Sequence, residues 1–132
     1  MAAGSTPDDV LISVEEGIAR IARGEALIVV DDADRENEGD LIVAADLCTP
    51  ESINFMARFG RGLICIGLTP ERCDELDLPL MVEKNTSSHG TAFCVTVEAR
   101  DGTTTGISAH DRAATVRALV DPATGPDGLR RP

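Results

Sequence analysis

The segment Asp31-Asp32-Ala33-Asp34-Arg35-Glu36-Asn37-Glu38-Gly39-Asp40 constrains this chain more than any other, with six carboxylates and one arginine in ten residues. One apolar run, Leu27 to Val30, enters it, and a second, Leu41 to Ala45, leaves it. Both runs are short, apolar and rich in β-branched residues, and they read as buried strands. Acidic blocks are usually solvated tails or linkers. Here a strand pins each end, so like charges are held close, and a proton or a cation must relieve their repulsion. A hard dication such as Mg²⁺ is the simplest relief. Arg35 beside Glu36 sets an anion binder next to a metal ligand, a pairing suited to a phosphorylated substrate. A calcium loop of the EF-hand type does not fit. Counted from Asp32, the sixth position, where glycine is required, holds Asn37, and the twelfth, where glutamate is required, holds Val43.

The rest of the composition narrows the partners. A chain of 132 residues makes one domain with a real core. Its net charge of −11 opposes nonspecific binding to nucleic acid or to an anionic membrane. Three Phe without Trp or Tyr offer no platform for stacking bases. Cys48, Cys65, Cys73 and Cys94 form no C-x-x-C pair and read as free thiols of a reducing compartment. Cys65 and Cys94 lie in apolar runs and read as small buried hydrophobes. No signal peptide opens the chain and no apolar run has membrane-spanning length, so a cytoplasmic protein is expected.

Along the chain, residues 1–12 read as a loose start. Ser13 and Glu16 are spaced as a capping box for a helix that Gly24 ends, with Val14, Ile18, Ile21 and Ala22 as its apolar stripe. Strands are expected at about 26–31 and 40–45. Thr49 and Pro50 open a second helix reaching to about Gly60, and Thr69 and Pro70 open a short third helix, broken by Pro79. Leu63 to Gly67 reads as a short buried strand. Residues 84–90 form a polar loop. Residues 91–99 alternate, with Phe93, Val95 and Val97 on one face and Cys94, Thr96 and Glu98 on the other. Ser108 and Asp111 are spaced as another capping box, for a helix to about Val120. Residues 121–132 are turn-rich and without periodicity. The pattern predicts an α+β fold, a mixed β-sheet with helices packed on its faces.

Other candidate groups are weaker. The segment Asp101 to Ser108 joins glycines and three threonines to a helix N-terminus, which can receive an anion, although a plain turn with an N-cap explains it better. His89, in a polar loop, needs a partner to act in acid–base chemistry. His110, in a first helical turn, reads as a surface residue. Cys65 reads as structural unless the acidic loop approaches it.

Taken together, these blocks resemble one family. The acidic segment through Leu41 closely resembles the signature of 3,4-dihydroxy-2-butanone 4-phosphate synthase, an enzyme of riboflavin biosynthesis. Gly60-Arg61-Gly62-Leu63-Ile64-Cys65, Leu78 to Val82, Asn85-Thr86, His89 to Phe93 and Thr104 to Ala109 resemble further family blocks, in family order. The resemblance covers about residues 12–132 and implies the N-terminal portion of a single synthase-like domain, with the fold incomplete. It implies conversion of D-ribulose 5-phosphate to L-3,4-dihydroxy-2-butanone 4-phosphate and formate, with Mg²⁺ or Mn²⁺ and no organic cofactor. It makes Glu36 the metal ligand, and Arg35, Glu36, Asp40, Thr105 and His89 substrate contacts. Catalytic parts fall to Asp40, Cys65 and Glu38. A homodimer binding a small sugar phosphate, without nucleic acid or membrane, is expected. The family also carries a later histidine ligand in a Gly-His-Thr-Glu block and a late catalytic glutamate, which this sequence does not contain. Three readings therefore stand: a lyase represented by an incomplete chain, an inactive remnant that binds metal or sugar phosphate, and a non-catalytic interaction domain.

Overall fold

Ser13 is extended, and its hydroxyl oxygen accepts the Glu16 amide, so the first helix, α1, runs Val14–Ala22. Only half of the expected capping box forms. The Glu16 carboxylate instead accepts from the Arg20 guanidinium at 2.8 Å, one helical turn onward. Gly24, at φ 81, turns the chain out of the helix. The computed structural model describes residues 10–32 and 34–132, so the loose start up to residue 9 and Ala33 lie outside the described residues. Two compact units make up the chain, Met1–Ala44 and Ala45–Pro132.

In the first unit, β1 (Leu27–Val30) pairs antiparallel with β2 (Gly39–Ile42), placing Val30 opposite Gly39 and Leu27 opposite Ile42. α1 packs on this hairpin with Leu27 beside Gly17. The expected strands therefore form, but they are not buried: Ile28 is 70% and Val30 58% exposed. The α1 stripe is also open at Val14 and Ile18. β-Branched residues report a preference for extended, paired backbone. Burial needs a covering layer, and one short helix cannot cover both faces of a two-stranded ribbon.

In the second unit, Thr49 and Ser52 cap each other reciprocally and Pro50 occupies the first turn, giving α2 (Pro50–Phe55). One π-helical turn, Met56–Gly60, extends it, and Arg61 leaves it in the left-handed region. Thr69 caps α3 (Pro70–Glu75) in the expected way. The expected strand over residues 63–67 forms no ladder. Its alternation survives, since Ile64 and Ile66 pack on the two core clusters while Leu63 and Cys65 are exposed. The buried reading of Cys65 is thus corrected. Among the described residues, 91–97 pair only through the Leu80–Cys94 bridge, and strand β3 is limited to Glu98–Ala99. Phe93, expected on one face with Val95 and Val97, is exposed, and Cys94, expected on the other face, packs inward together with those valines.

Ser108 caps α4 (Ala109–Val120). The turn-rich end is more ordered than its composition suggests. A 3-10 turn at Pro126–Gly128 leads into β4 (Leu129–Arg130), which pairs antiparallel with β3. Arg72 stabilises this return by donating to the carbonyls of Leu119, Asp121 and Thr124 at 3.0, 2.7 and 3.1 Å. One core cluster joins Leu76, Leu78, Leu119 and Leu129, and the other joins Cys48, Ile53 and Ala113. The α+β class holds. Among the described residues its strands pair as two separate antiparallel ladders, a narrower arrangement than one mixed sheet.

Leu129, 1% exposed, anchors the C-terminal segment in the first of these clusters. Leu129→Ala is expected to lower stability by about 2–5 kcal/mol in urea unfolding. A loss within experimental error would show that this segment packs only loosely.

Candidate functional site

The hairpin delivers both ends of the acidic loop to one place, and Asp31 fixes the loop between them. Asp31 Oδ1 accepts the Glu38 amide at 2.9 Å, and Oδ2 accepts the Glu36 amide at 3.0 Å. Oδ2 also accepts from Arg35 Nη1 at 3.1 Å. Main-chain bonds continue the pattern, from the Asp31 amide to Glu38 O at 3.3 Å and from the Arg35 amide to Asp32 O at 2.9 Å. Asn37 takes the left-handed conformation, φ 53, that lets the chain reverse here. Arg35 Nη2 lies 3.4 Å from Glu36 Oε1, so the guanidinium bridges two carboxylates. Asp40 stands on β2, opposite Val29 and exposed. Arg35 and Glu36 therefore meet at Asp31, Glu38 is tied to it through its amide, and Asp40 follows on β2.

The amides of Glu36 and Glu38, with help from the Arg35 charge, hold the Asp31 carboxyl below the usual carboxylate range. Sequence reasoning gave Asp31 no task. The signal was present, since an aspartate just after a strand commonly accepts amides further along the chain.

The remaining candidates lie in the second unit. Cys65 is exposed and lines a cavity of about 520 Å³, with Ile64, Phe93, Cys94 and Arg112 among its walls. His89 is also exposed and lines a smaller pocket of about 220 Å³ with Asn85 and Ser87. Asn85 shapes that loop by donating to Thr91 O at 2.8 Å and accepting the Ser87 amide at 2.9 Å. The two cavities share Thr91 and Phe93. Thr105 is exposed on the turn before α4, next to Gly106, which lines the larger cavity. His110 is exposed, as expected.

The turn before α4 differs from the expected capping box. Ser108 Oγ accepts the Asp111 amide at 3.0 Å, but the Asp111 carboxylate reaches back past Ser108. Its oxygens accept from Thr104 N, Thr104 Oγ1 and Gly106 N at 3.2, 2.9 and 3.0 Å. The protein's own carboxylate thus takes donors that an anion would otherwise use, in keeping with the plain-turn reading of this segment. Burial pushes the Asp111 carboxyl up, but the Thr104, Gly106 and Ser108 bonds outweigh it and hold the group below its ordinary value. Gly106, at φ 80, has Glu98 where a Cβ would stand.

Among the described residues, no three His, Cys, Asp or Glu side chains converge as a ready-made metal cage. Mg²⁺ does not need one. It is commonly held by one or two carboxylates, with waters and substrate oxygens completing its shell. The half-buried Glu36 carboxylate, a hard oxygen donor in a loop of fixed backbone, fits that mode.

Comparison with known proteins agrees with this geometry. The family model of 3,4-dihydroxy-2-butanone 4-phosphate synthase matches residues 15–132. The riboflavin biosynthesis protein RibBA of Aquifex aeolicus is 57% identical over 122 residues, covering 91% of this chain and 30% of the relative. The 3,4-dihydroxy-2-butanone 4-phosphate synthase of Agrobacterium fabrum is 55% identical over 122 residues, covering 92% of this chain and 57% of the relative. A crystal structure of a 3,4-dihydroxy-2-butanone 4-phosphate synthase in complex with two magnesium ions superposes with a TM-score of 0.89 at 49% identity, over 92% of this chain and 57% of that one. The fold and the acidic loop are those of a riboflavin-biosynthesis enzyme family. The chain belongs to the 3,4-dihydroxy-2-butanone 4-phosphate synthase family, and it spans 30% to 57% of the length of these relatives.

The lowered Asp31 pKa fixes the sign of a pH effect. The loop gains full support from Asp31 above the unfolded aspartate value of about 3.9 and loses it as pH falls through the depressed folded value. Amide hydrogen exchange at Glu36 and Glu38 is expected to stay protected at pH 5 and to quicken at least tenfold in Asp31→Asn. Unchanged protection in that variant would mean the backbone holds the loop without the carboxylate.

Proposed function

We propose that this chain is the N-terminal portion of a single synthase domain that converts D-ribulose 5-phosphate to L-3,4-dihydroxy-2-butanone 4-phosphate and formate. The carrying observation is the loop 31–40, in which Asp31 aligns Arg35, Glu36 and Glu38 through their own backbone and side chains. A five-carbon sugar phosphate divides here into four-carbon and one-carbon products without net oxidation, so the reaction needs no organic redox cofactor.

Glu36 would hold Mg²⁺ or Mn²⁺. When bound, the dication supplies positive charge against which negative charge on adjacent substrate oxygens is stabilised. Arg35 binds substrate oxygens with the N–H groups that Asp31 and Glu36 do not occupy. Asp40 and Glu38 move protons between neighbouring carbons, a task for carboxylates set beside the reacting atoms. The family resemblance also gives Cys65, His89 and Thr105 parts in handling this substrate, with the Thr105 hydroxyl donating to its phosphate. The synthase solved with two magnesium ions supports the choice of metal. We further infer a cytoplasmic homodimer acting on small molecules.

Formate release from ribulose 5-phosphate with Mg²⁺ tests the reading. Glu36→Ala is expected to cut the rate about 100-fold or more, the scale for losing a transition-state charge stabiliser. Formate release indifferent to Glu36→Ala would contradict the assignment. Absence of formate from the wild-type chain, with Mg²⁺ binding that Glu36→Ala removes, would replace turnover by a binding role.

A further inference from the structure

Three consecutive threonines precede α4, and the structure uses them differently. Thr103 Oγ1 donates to Ala99 O at 2.7 Å. Thr104 Oγ1 donates to the Asp111 carboxylate at 2.9 Å. Thr105 lies between them and Gly106, with its side chain exposed. The residues on both sides of it, Thr104 and Gly106, give their amides to the same carboxylate. Asp111 is itself only 3% exposed. A buried carboxylate is retained at a cost unless its hydrogen bonds are made, and here both oxygens are occupied by the turn alone.

We propose that Asp111 is a positioning residue for substrate phosphate, fixing the turn so that the Thr105 hydroxyl points outward to donate to a phosphate oxygen. The inference rests on the reading of Thr105 given under Proposed function. Asp111 does not touch the ligand. Its negative charge by itself repels a phosphate, so charge and position predict opposite results when that charge is removed. Asparagine at 111 keeps the size and removes the charge, but it sets an N–H₂ group against the Gly106 or the Thr104 amide and loses that bond. The Gly106 backbone, at φ 80 and backed by Glu98, offers little room for a compensating shift.

Calorimetric titration of the full chain with ribulose 5-phosphate, and with unphosphorylated ribulose as control, separates the cases. Thr105→Ala is expected to weaken ribulose 5-phosphate binding about tenfold. Asp111→Asn is expected to weaken it at least fivefold while leaving ribulose unchanged, and the double variant is expected to be no weaker than Thr105→Ala. Thr104→Val removes one donor without touching the buried acid and is expected to cost about threefold; it decides the matter if Asp111→Asn fails to fold. Wild-type or tighter affinity in folded Asp111→Asn, or wild-type affinity in Thr104→Val, with Thr105→Ala still impaired, overturns the positioning role. Equal loss of ribulose and ribulose 5-phosphate in Asp111→Asn overturns it too. Wild-type affinity in Thr105→Ala sinks the underlying reading of Thr105 instead.

Discussion

One carboxylate organises the acidic loop of this chain. Asp31 accepts two backbone amides and a guanidinium from residues that follow it by four to seven positions. Without its hydrogen bonds, the loop's other five acids would spread under their own repulsion, since neighbouring like charges favour separation. With them, one acid is spent on holding the others. Glu36 and Glu38 are fixed at their amides, and the Glu36 carboxylate lies 3.4 Å from Arg35 Nη2. The β1–β2 ladder supplies the second constraint, bringing Val30 and Gly39 face to face so that the loop has no slack to lose its shape.

Asp111 repeats the device in the second unit. It too is an acid whose hydrogen bonds to a turn hold it below its ordinary pKa. Each places a residue of interest between or beside the amides it binds, Arg35 and Glu36 in one case and Thr105 in the other. From the sequence Asp31 had no task, and Asp111 only a part in a capping box with Ser108. What a sequence displays is residue type and spacing. What distinguishes a structural acid from a catalytic one is which donors its oxygens meet, and that follows from backbone conformation.

Other parts of the fold were legible because their causes are local. Thr49-Pro50 and Thr69-Pro70 set their helix starts by hydrogen bonds and φ preferences within one turn. The β1 and β2 strands follow from short β-branched runs on either side of a turn. Burial was less legible, because it depends on distant elements: Leu63 and Cys65 alternate with the half-buried Ile64 and Ile66 yet stay exposed, and Val30 pairs without being covered. Leu129 shows the converse. It lies in a stretch of turn residues, and a long-range pairing with Ala99 carries it into the core. The family resemblance came through blocks whose order is read directly from the chain, so it did not depend on any of these packing details.

In the function proposed above, Asp31 shapes a site for a hard dication around Glu36. Calorimetric titration of Mg²⁺ into the wild-type chain, Asp31→Asn and the charge-matched control Asp32→Asn tests it most directly. Affinity at least tenfold weaker in Asp31→Asn, and within about threefold of wild type in Asp32→Asn, is the expected result. Equal losses in the two variants would mean that total charge, not the hydrogen-bonded shape of the loop, attracts the metal, and would contradict the claim.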